Sequence, residues 1–388
     1  MRLPRLATAS VVASTLLLAG LTGCTSDGAG SDGGGNTIVI GADLDNSSPV
    51  DIAYGRALQL RIEQENASGR LGDKKLVLRT QDNRSDPATS VRNVSALADD
   101  PTVAAMVMGS CNDCVVEAAR TIGTKKVPTI ALAAADEVAQ PVADRQYVFK
   151  LGPNSSDSSA TLVAELSRTK VPNVAVLYTD DLYGSGGEKV LTAELAKAHI
   201  PITLARSVKP TATDISQTVG TLTDTKPAAL LVLTGPDQAA LAAIGAKAAA
   251  FKGALYLDAA AASDMFIPKA SAAATDDATM VFTQILAIDD VIATTPAKAA
   301  RKEWFRDYIS RYGNYSGVAA FAADAVDLIA AAVTRVGNNH DQIRAILETS
   351  QIDGISGPIR LTPANHSGLM PQAMTLLVAR AGRWRLAS

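Results

Sequence analysis

Apolar runs of strand length recur along this chain: TIVIG, KLVLRT, VAAMVM, PTIAL, YVFK, NVAVLY, AALLVL and ALYL. Between them stand stretches with helical patterning, such as DIAYGRALQLRIEQENA and DPATSVRNVSALADD. Parallel strands cannot be joined by tight turns and need a crossover, usually a helix, so this alternation predicts an α/β protein with parallel sheets flanked by helices. Asp86-Pro87 marks one helix start, with Asp86 as N-cap and Pro87 at the first helical position. The end of the chain reads differently. MTLLVARAGRWRL holds two strand-like runs around Ala381-Gly382 and predicts a closing hairpin. No repeat of solenoid period is visible, and the 388 residues are ample for two domains.

The globular pattern begins at Thr37. Before it, MRLPRLATASVVASTLLLAG places Arg2 and Arg5 ahead of an apolar run that ends at Gly20, the charged and hydrophobic regions of an export signal. The run is too short for a comfortable membrane span. Leu21-Thr22-Gly23-Cys24 resembles the lipobox of bacterial lipoproteins, which implies cleavage after residue 23 and lipidation of Cys24. Residues 24–36 then form a Gly/Ser/Asp tether of roughly 20 Å root-mean-square reach. Cleavage removes two arginines and no acid, so the formal charge moves from −3 to −5. That mild acidity argues against nucleic acid as a partner and against membrane attachment by anything but the lipid.

Cys111 and Cys114, in GSCNDC, are the other two cysteines. In an oxidising compartment an even pair at positions i and i+3 of a helix entrance can form a disulfide; free thiols, a redox pair or half a metal site are the alternatives. Other chemistries lack a constellation. YGSGGEK follows a strand but fits neither dinucleotide nor P-loop spacing, because Lys189 falls in the wrong place. His199, His340 and His366 are far apart in sequence, fit no zinc motif and are expected at the surface. No G-x-S-x-G elbow occurs. The expectation is a protein without cofactor or metal, and not an enzyme, a thiol oxidoreductase at Cys111 and Cys114 being the least favoured reading.

The series IVIGADLDN, DIAYGRALQLRIEQENASG, the strand leading into DNRSDP, MGS, PTIALAAA, YVFKLGPN, VAVLYTDDLYGSGGEKV and GISGPIRL resembles the periplasmic leucine/isoleucine/valine-binding protein family of ABC transporters. The likeness runs from residue 37 to 388. It implies a type I periplasmic-binding-protein fold, two Rossmann-like lobes joined by three inter-lobe crossings, with a ligand clamped between them. By motif, lobe one spans 37–152 and 284–360, and lobe two spans 153–283 and 361–388.

The same resemblance assigns site residues. Tyr54 in DIAYG and Tyr183 in DDLYG hold the places of aromatics that cover the ligand from opposite lobes. Asp258 falls where an acid pairs with the ligand's ammonium group, unless it only caps a helix. Ser110, Asn112 or Asp113, Ala133 and Ala135 lie in the loops that grip an amino-acid carboxylate. Two of the family's hydroxyls are absent, at Asn112 or Asp113 and at Ala135, while Asp43, Asp45 and Asn46 stand where small residues are usual. A buried Asp113 would repel a carboxylate. This favours a neutral or cationic solute, such as an amide, polyol or amine, over an amino acid, and makes leucine, isoleucine and valine poor ligands. Convergence of Asp43, Asp45, Asp113 and Asp258 on the cleft would decide it.

The expected function is capture of a small polar molecule by a monomeric, lipid-anchored, extracytoplasmic protein that delivers it to an ABC transporter permease. The alternative is a ligand-sensing receptor subunit that feeds no transporter.

Overall fold

The computed structural model describes residues 36–387; the signal segment, Cys24 and most of the tether lie outside them. The first sheet is wholly parallel, in the order β2-β1-β3-β4-β5, with β1 at Thr37–Leu44, β2 at Lys75–Asp82, β3 at Val103–Met108, β4 at Thr129–Ala131 and β5 at Val148–Lys150. The second contains β6 (Val174–Thr179), β7 (Ile202–Val208), β8 (Ala229–Leu233), β9 (Ala254–Leu257) and β10 (Thr279–Thr283). A small antiparallel pair, β11 (Gln351–Asp353) and β12 (Pro358–Arg360), precedes β13 (Met374–Arg380) and β14 (Arg383–Leu386), and these last two complete the second sheet in the order β14-β13-β10-β9-β8-β6-β7. Each apolar run named from the sequence overlaps a strand, PTIAL only in its middle three residues. Strands β7 and β10 were not among them: β7 is an edge strand whose polar residues face water, and β10 is only five residues long.

Helices α1 (Pro49–Ala67), α2 (Pro87–Ala98) and α3 (Asn112–Lys125) connect the strands of the first sheet, and α4 (Ser155–Arg168), α5 (Leu182–Lys197), α6 (Ser216–Asp224), α7 (Pro236–Ala248) and α8 (Lys269–Thr275) those of the second. The chain then returns through α9 (Pro296–Tyr312), α10 (Ala319–Val336) and α11 (His340–Leu347) to the first sheet, where α10 packs on α1. Alanines at 319, 320, 322, 323, 325 and 332 are buried along α10, so the helices approach closely without large side chains. This accounts for a full core at 4% aromatics. Asp86 caps α2 through Thr89 N at 2.7 Å, and Ala381 and Gly382, both at positive φ, turn β13 into β14.

The chain passes between the sheets after β5, after β10 and after β12. Lys150 sits at the first passage with its side chain wholly buried. Its Nζ donates to Pro153 O at 2.9 Å and Asn154 Oδ1 at 2.8 Å; burial lowers its pKa to about 8, opposed by Asp136 at 3.5 Å. Its backbone pairs with the third passage, through His366 O and Gly368 N, each at 2.8 Å. His366 is therefore not a surface residue. It is buried, stacked on Phe149 at 4.3 Å, with Nδ1 2.9 Å from Val148 O. His199 is exposed and His340 half-buried. Two short segments also differ from expectation. Residues 284–290 pack on β13 and β14, with Asp289 and Asp290 paired to Arg383 and Arg385, whereas 361–369 bridge to Lys150 of the first sheet and to Ile359 of β12.

The GISGP loop depends on one acid. Asp324 of α10 accepts from Ile355 N at 2.5 Å and from Ser356 N and Oγ at 2.8 and 2.5 Å. Asp324→Ala strands these donors, and urea unfolding should show a loss of about 3 kcal/mol. Burial, reinforced by Asp327, pushes the Asp324 pKa from 3.8 up to about 7. Between those values the unfolded chain has released a proton that the folded chain keeps, so this group's contribution to stability falls as pH rises through the window. The stability difference between the native protein and Asp324→Asn should accordingly change from pH 4 to pH 7 and level off above it.

Candidate functional site

Strand order positions the site. In the first sheet β1 lies between β2 and β3, so the loops after β1 and β3 lead to opposite faces and leave a crevice at the strand carboxyl ends. In the second sheet β6 lies between β7 and β8 with the same result. The loops at both crevices line one cavity of about 390 Å³ between the sheets.

On the first lobe's side, Ser48, Ser110 and Asn112 bring polar groups to the cavity, beside Tyr54, Leu132 and Ala133. Ser48 caps α1, its Oγ accepting from Asp51 N at 3.4 Å, and Pro49 opens the helix. Asp51 is buried. Its Oδ2 accepts from Asp45 N and its Oδ1 from Ser110 N, both at 2.8 Å, so it ties the loop after β1 to the loop after β3. Burial raises its pKa, against these hydrogen bonds. A Cβ on Gly109 would strike the Asp51 carboxylate, which is why glycine precedes Ser110.

Asp43 and Asp45 do not reach the cavity. Asp43 accepts from Asn93 Nδ2 at 2.8 Å, Asn83 Nδ2 at 3.1 Å and the Ser90 hydroxyl, while Asp45 accepts from Ser47 N at 2.8 Å and Ser85 Oγ at 2.7 Å. Their role is to hold the DNRSDP loop, in which Arg84 and Ser85 adopt positive φ. Asn46 is exposed, its N–H on Asp82 at 3.2 Å. At the start of α3, Asn112 lines the cavity and Asp113 is exposed outside it. Asn112 Oδ1 accepts from Ala135 N at 2.8 Å, so the two positions that lack hydroxyls are joined to each other. Ala135 is buried and, unlike Ala133, is not on the cavity wall. The Cys111 and Cys114 sulfurs stand at disulfide distance, 2.02 Å, with Cys111 capping α3.

From the second lobe, Tyr183 lines the cavity and shares an apolar cluster with Ala133, Ala135 and Val138 of the first, so the lobes touch here. Its hydroxyl donates to Asp258 Oδ2. Asp258 is buried, caps a 3-10 turn at Ala259–Ala261 through Ala260 N at 3.2 Å, and is absent from the cavity wall. Burial raises its pKa to about 7. Of the two readings open to Asp258, the cap is the one its contacts match. The acids on the wall are instead Asp181 and Asp237. Asp181 caps α5, its Oδ1 accepting from Gly184 N at 2.8 Å and Thr179 Oγ1 at 2.9 Å. Gly184 is obligatory because a Cβ there would collide with the Thr179 backbone. Phe282, Val318 and Phe321 supply an apolar wall near the second crossing.

The four acids whose convergence would argue against a carboxylate ligand therefore do not converge. Sequence reasoning brought Tyr54, Ser110, Asn112, Ala133 and Tyr183 to one cavity and missed Asp51, Asp181 and Phe282. The Ser48…Asp51 spacing, an N-cap with an acid three residues on, and the N-cap aspartate beside Tyr183 were the available signals.

The sequence matches the family described as Periplasmic binding protein over residues 37–383. No curated protein matches it. Among solved structures, an extracellular ligand-binding receptor from Rhodopseudomonas palustris HaA2 is similar at TM-score 0.82 and 21% identity, covering 90% of this chain and 99% of that one. An ABC transporter substrate-binding protein from Desulfitobacterium hafniense in complex with Leu gives TM-score 0.75 and 16% identity over 91% and 100%. A solute binding protein of an ABC transporter from Rhodopseudomonas palustris BisB5, in complex with 3,4-dihydroxy benzoic acid, gives 0.77 and 16% over 90% and 95%. At these identities the likeness is one of fold.

Removing the Asp51 carboxylate should free both loops. In Asp51→Ala, amide exchange at Ser110 and Asp45 should accelerate, and stability should fall by about 2 to 3 kcal/mol as two buried N–H groups lose their acceptor; unchanged exchange would show that the loops are held by other contacts.

Proposed function

The chain belongs to the periplasmic binding protein family, and from that premise we propose that it is a lipid-anchored, extracytoplasmic solute-binding protein that clamps a small carboxylate-bearing molecule between its lobes and presents it to an ABC permease. One observation carries the ligand class. The first lobe's part of the wall offers donors and no acid: Ser48, Ser110 and Asn112 stand at the first turns of α1 and α3, where free backbone N–H groups and the helix dipole favour an anion. This replaces the expectation of a neutral or cationic solute, which rested on acids that point elsewhere. Leucine and 3,4-dihydroxybenzoic acid, the molecules bound in two structural relatives, share a carboxylate.

At about 30 Å³ per water-sized group, a cavity of 390 Å³ holds roughly a dozen non-hydrogen atoms. Tyr54, its hydroxyl on Leu132 O at 3.3 Å, covers the solute from the first lobe and Tyr183 from the second. A Cys111–Cys114 bridge pre-organises the donor loop, which lowers the ordering cost of binding. The protein acts as a monomer and performs no reaction.

Thermal unfolding against a panel of small carboxylates tests this reading. A ligand at a hundred times its dissociation constant should add about 2.7 kcal/mol, and Tyr54→Ala should weaken the same ligand by about 1 to 3 kcal/mol. A panel in which only amines, amides or polyols stabilise the protein refutes the carboxylate assignment. For the anchor, Cys24→Ala should move the protein from the membrane fraction to the soluble one; retention on the membrane after signal cleavage would remove the lipid from the account.

A further inference from the structure

We propose a second binding site, for a small oxyanion, at the passages between the sheets and outside the cleft, with Arg360 and Ser367 as its anchors. A cavity of about 430 Å³ opens there between the loop after β4, the first turn of α4 and the segment after β12. It shares no lining residue with the cleft cavity. Ser367 is the observation that points to a ligand. The residue is 5% exposed and lies on the cavity wall. Its N–H donates to Asn365 Oδ1 at 3.0 Å, while its hydroxyl makes no hydrogen bond among the described residues. A hydroxyl enclosed this far without a partner costs free energy, and the cavity is where a partner can reach it.

Arg360, the last residue of β12, is exposed on the same wall. Its N–H donates to Gly368 O at 2.7 Å, which sets it alongside the Ser367 segment. Its guanidinium makes neither hydrogen bond nor ion pair among the described residues, although Asp136 and Asp157 line the same cavity. Those acids are engaged elsewhere. Asp136 Oδ1 accepts from Ser155 N at 3.2 Å and lies 3.5 Å from the buried Lys150 Nζ, which balances its charge from behind the wall. Asp157 Oδ2 accepts from Asn154 Nδ2 at 2.9 Å. What the wall still offers is a fork of charged donors and a hydroxyl, joined by the amides of Ser156 and Asp157, which stand in the first turn of α4 and have no intrahelical acceptor. A guanidinium presents paired donors that match an oxyanion. Asp157 is of like charge and keeps the anion on the Arg360 side of the cavity. An exposed arginine alone would be a solvated surface charge; the enclosed hydroxyl on its wall is what makes this a site.

The experiment uses the mature chain with inorganic phosphate and sulfate as probes at fixed ionic strength, taking affinity from titration calorimetry and location from amide NMR shifts. Both oxyanions should saturate one site and move the amides of Ser156, Asp157, Ser367 and Gly368. Arg360→Gln should weaken phosphate tenfold or more and Ser367→Ala threefold or more, while Arg360→Lys, which keeps the charge without the fork, should fall between the native protein and Arg360→Gln. Neither side chain has a polar partner among the described residues, so all three variants should unfold at the native temperature, which separates lost binding from lost folding. No saturable binding of either probe, shifts confined to Ser110 and Asn112 in the cleft, or unchanged affinity in Arg360→Gln overturns the inference. Tetramethylammonium chloride is the control: if it alone produces the same shifts, Asp136 and Asp157 define the cavity and the oxyanion assignment fails. The carboxylate reading of the cleft is independent of every one of these outcomes.

Discussion

The Asp51 carboxylate is the interaction on which the binding wall depends. Two loops that leave the first sheet in opposite directions have no ladder to join them, and each carries backbone donors that must find acceptors once water is excluded. Asp51 accepts one from each, Asp45 N and Ser110 N, and Gly109 gives it the space to do so. From there the order propagates outward. Asp45, positioned through its own N–H, receives Ser47 and Ser85 on its side chain, and Asp43 gathers Asn83, Ser90 and Asn93. The acidic character of GADLDNSSP is therefore spent within the first lobe, and what reaches the cavity is a surface of donors.

The passages between lobes are organised by a second buried charge. Lys150 fastens the end of β5 to the start of α4 through Pro153 and Asn154, and its backbone holds the third passage beside the first. Two of three connections are thus bound to each other, while the segment after β10 rides with the second sheet on Asp289 and Asp290. The passages are thus fixed by contacts already made within each lobe. Pre-organisation of this kind lowers the conformational entropy lost on binding.

The strand runs, the Asp86 cap, the closing hairpin and the order of motifs were legible in sequence because local periodicity and capping chemistry are local properties. Five of the side chains expected at the ligand do line the cavity, since loops at strand ends follow from strand order. The direction of a charged side chain was not legible. Asp43, Asp45 and Asp113 lie within five positions of lining residues, yet the direction of Asp43 is settled by a partner fifty positions away, Asn93. Asp51 was overlooked for the same reason: its two partners come from different loops, and nothing in DIAYG marks its carboxylate as buried. His366 read as a surface residue because its companions, Phe149 and Glu348, come from other elements.

The second lobe's two acids can be understood together. Asp258 has a pKa near 7 because it is buried, and Asp181 contributes to that rise by repulsion, against hydrogen bonds from Tyr183 and Ala260 that lower it. Near neutral pH Asp258 thus carries only part of a charge, and it stands off the cavity wall on which Asp181 lies. Tyr183 packs against the first lobe. One tyrosine thus joins the buried acid of the second lobe to the place where the two lobes touch, its hydroxyl on Asp258 and its ring against Ala133, Ala135 and Val138.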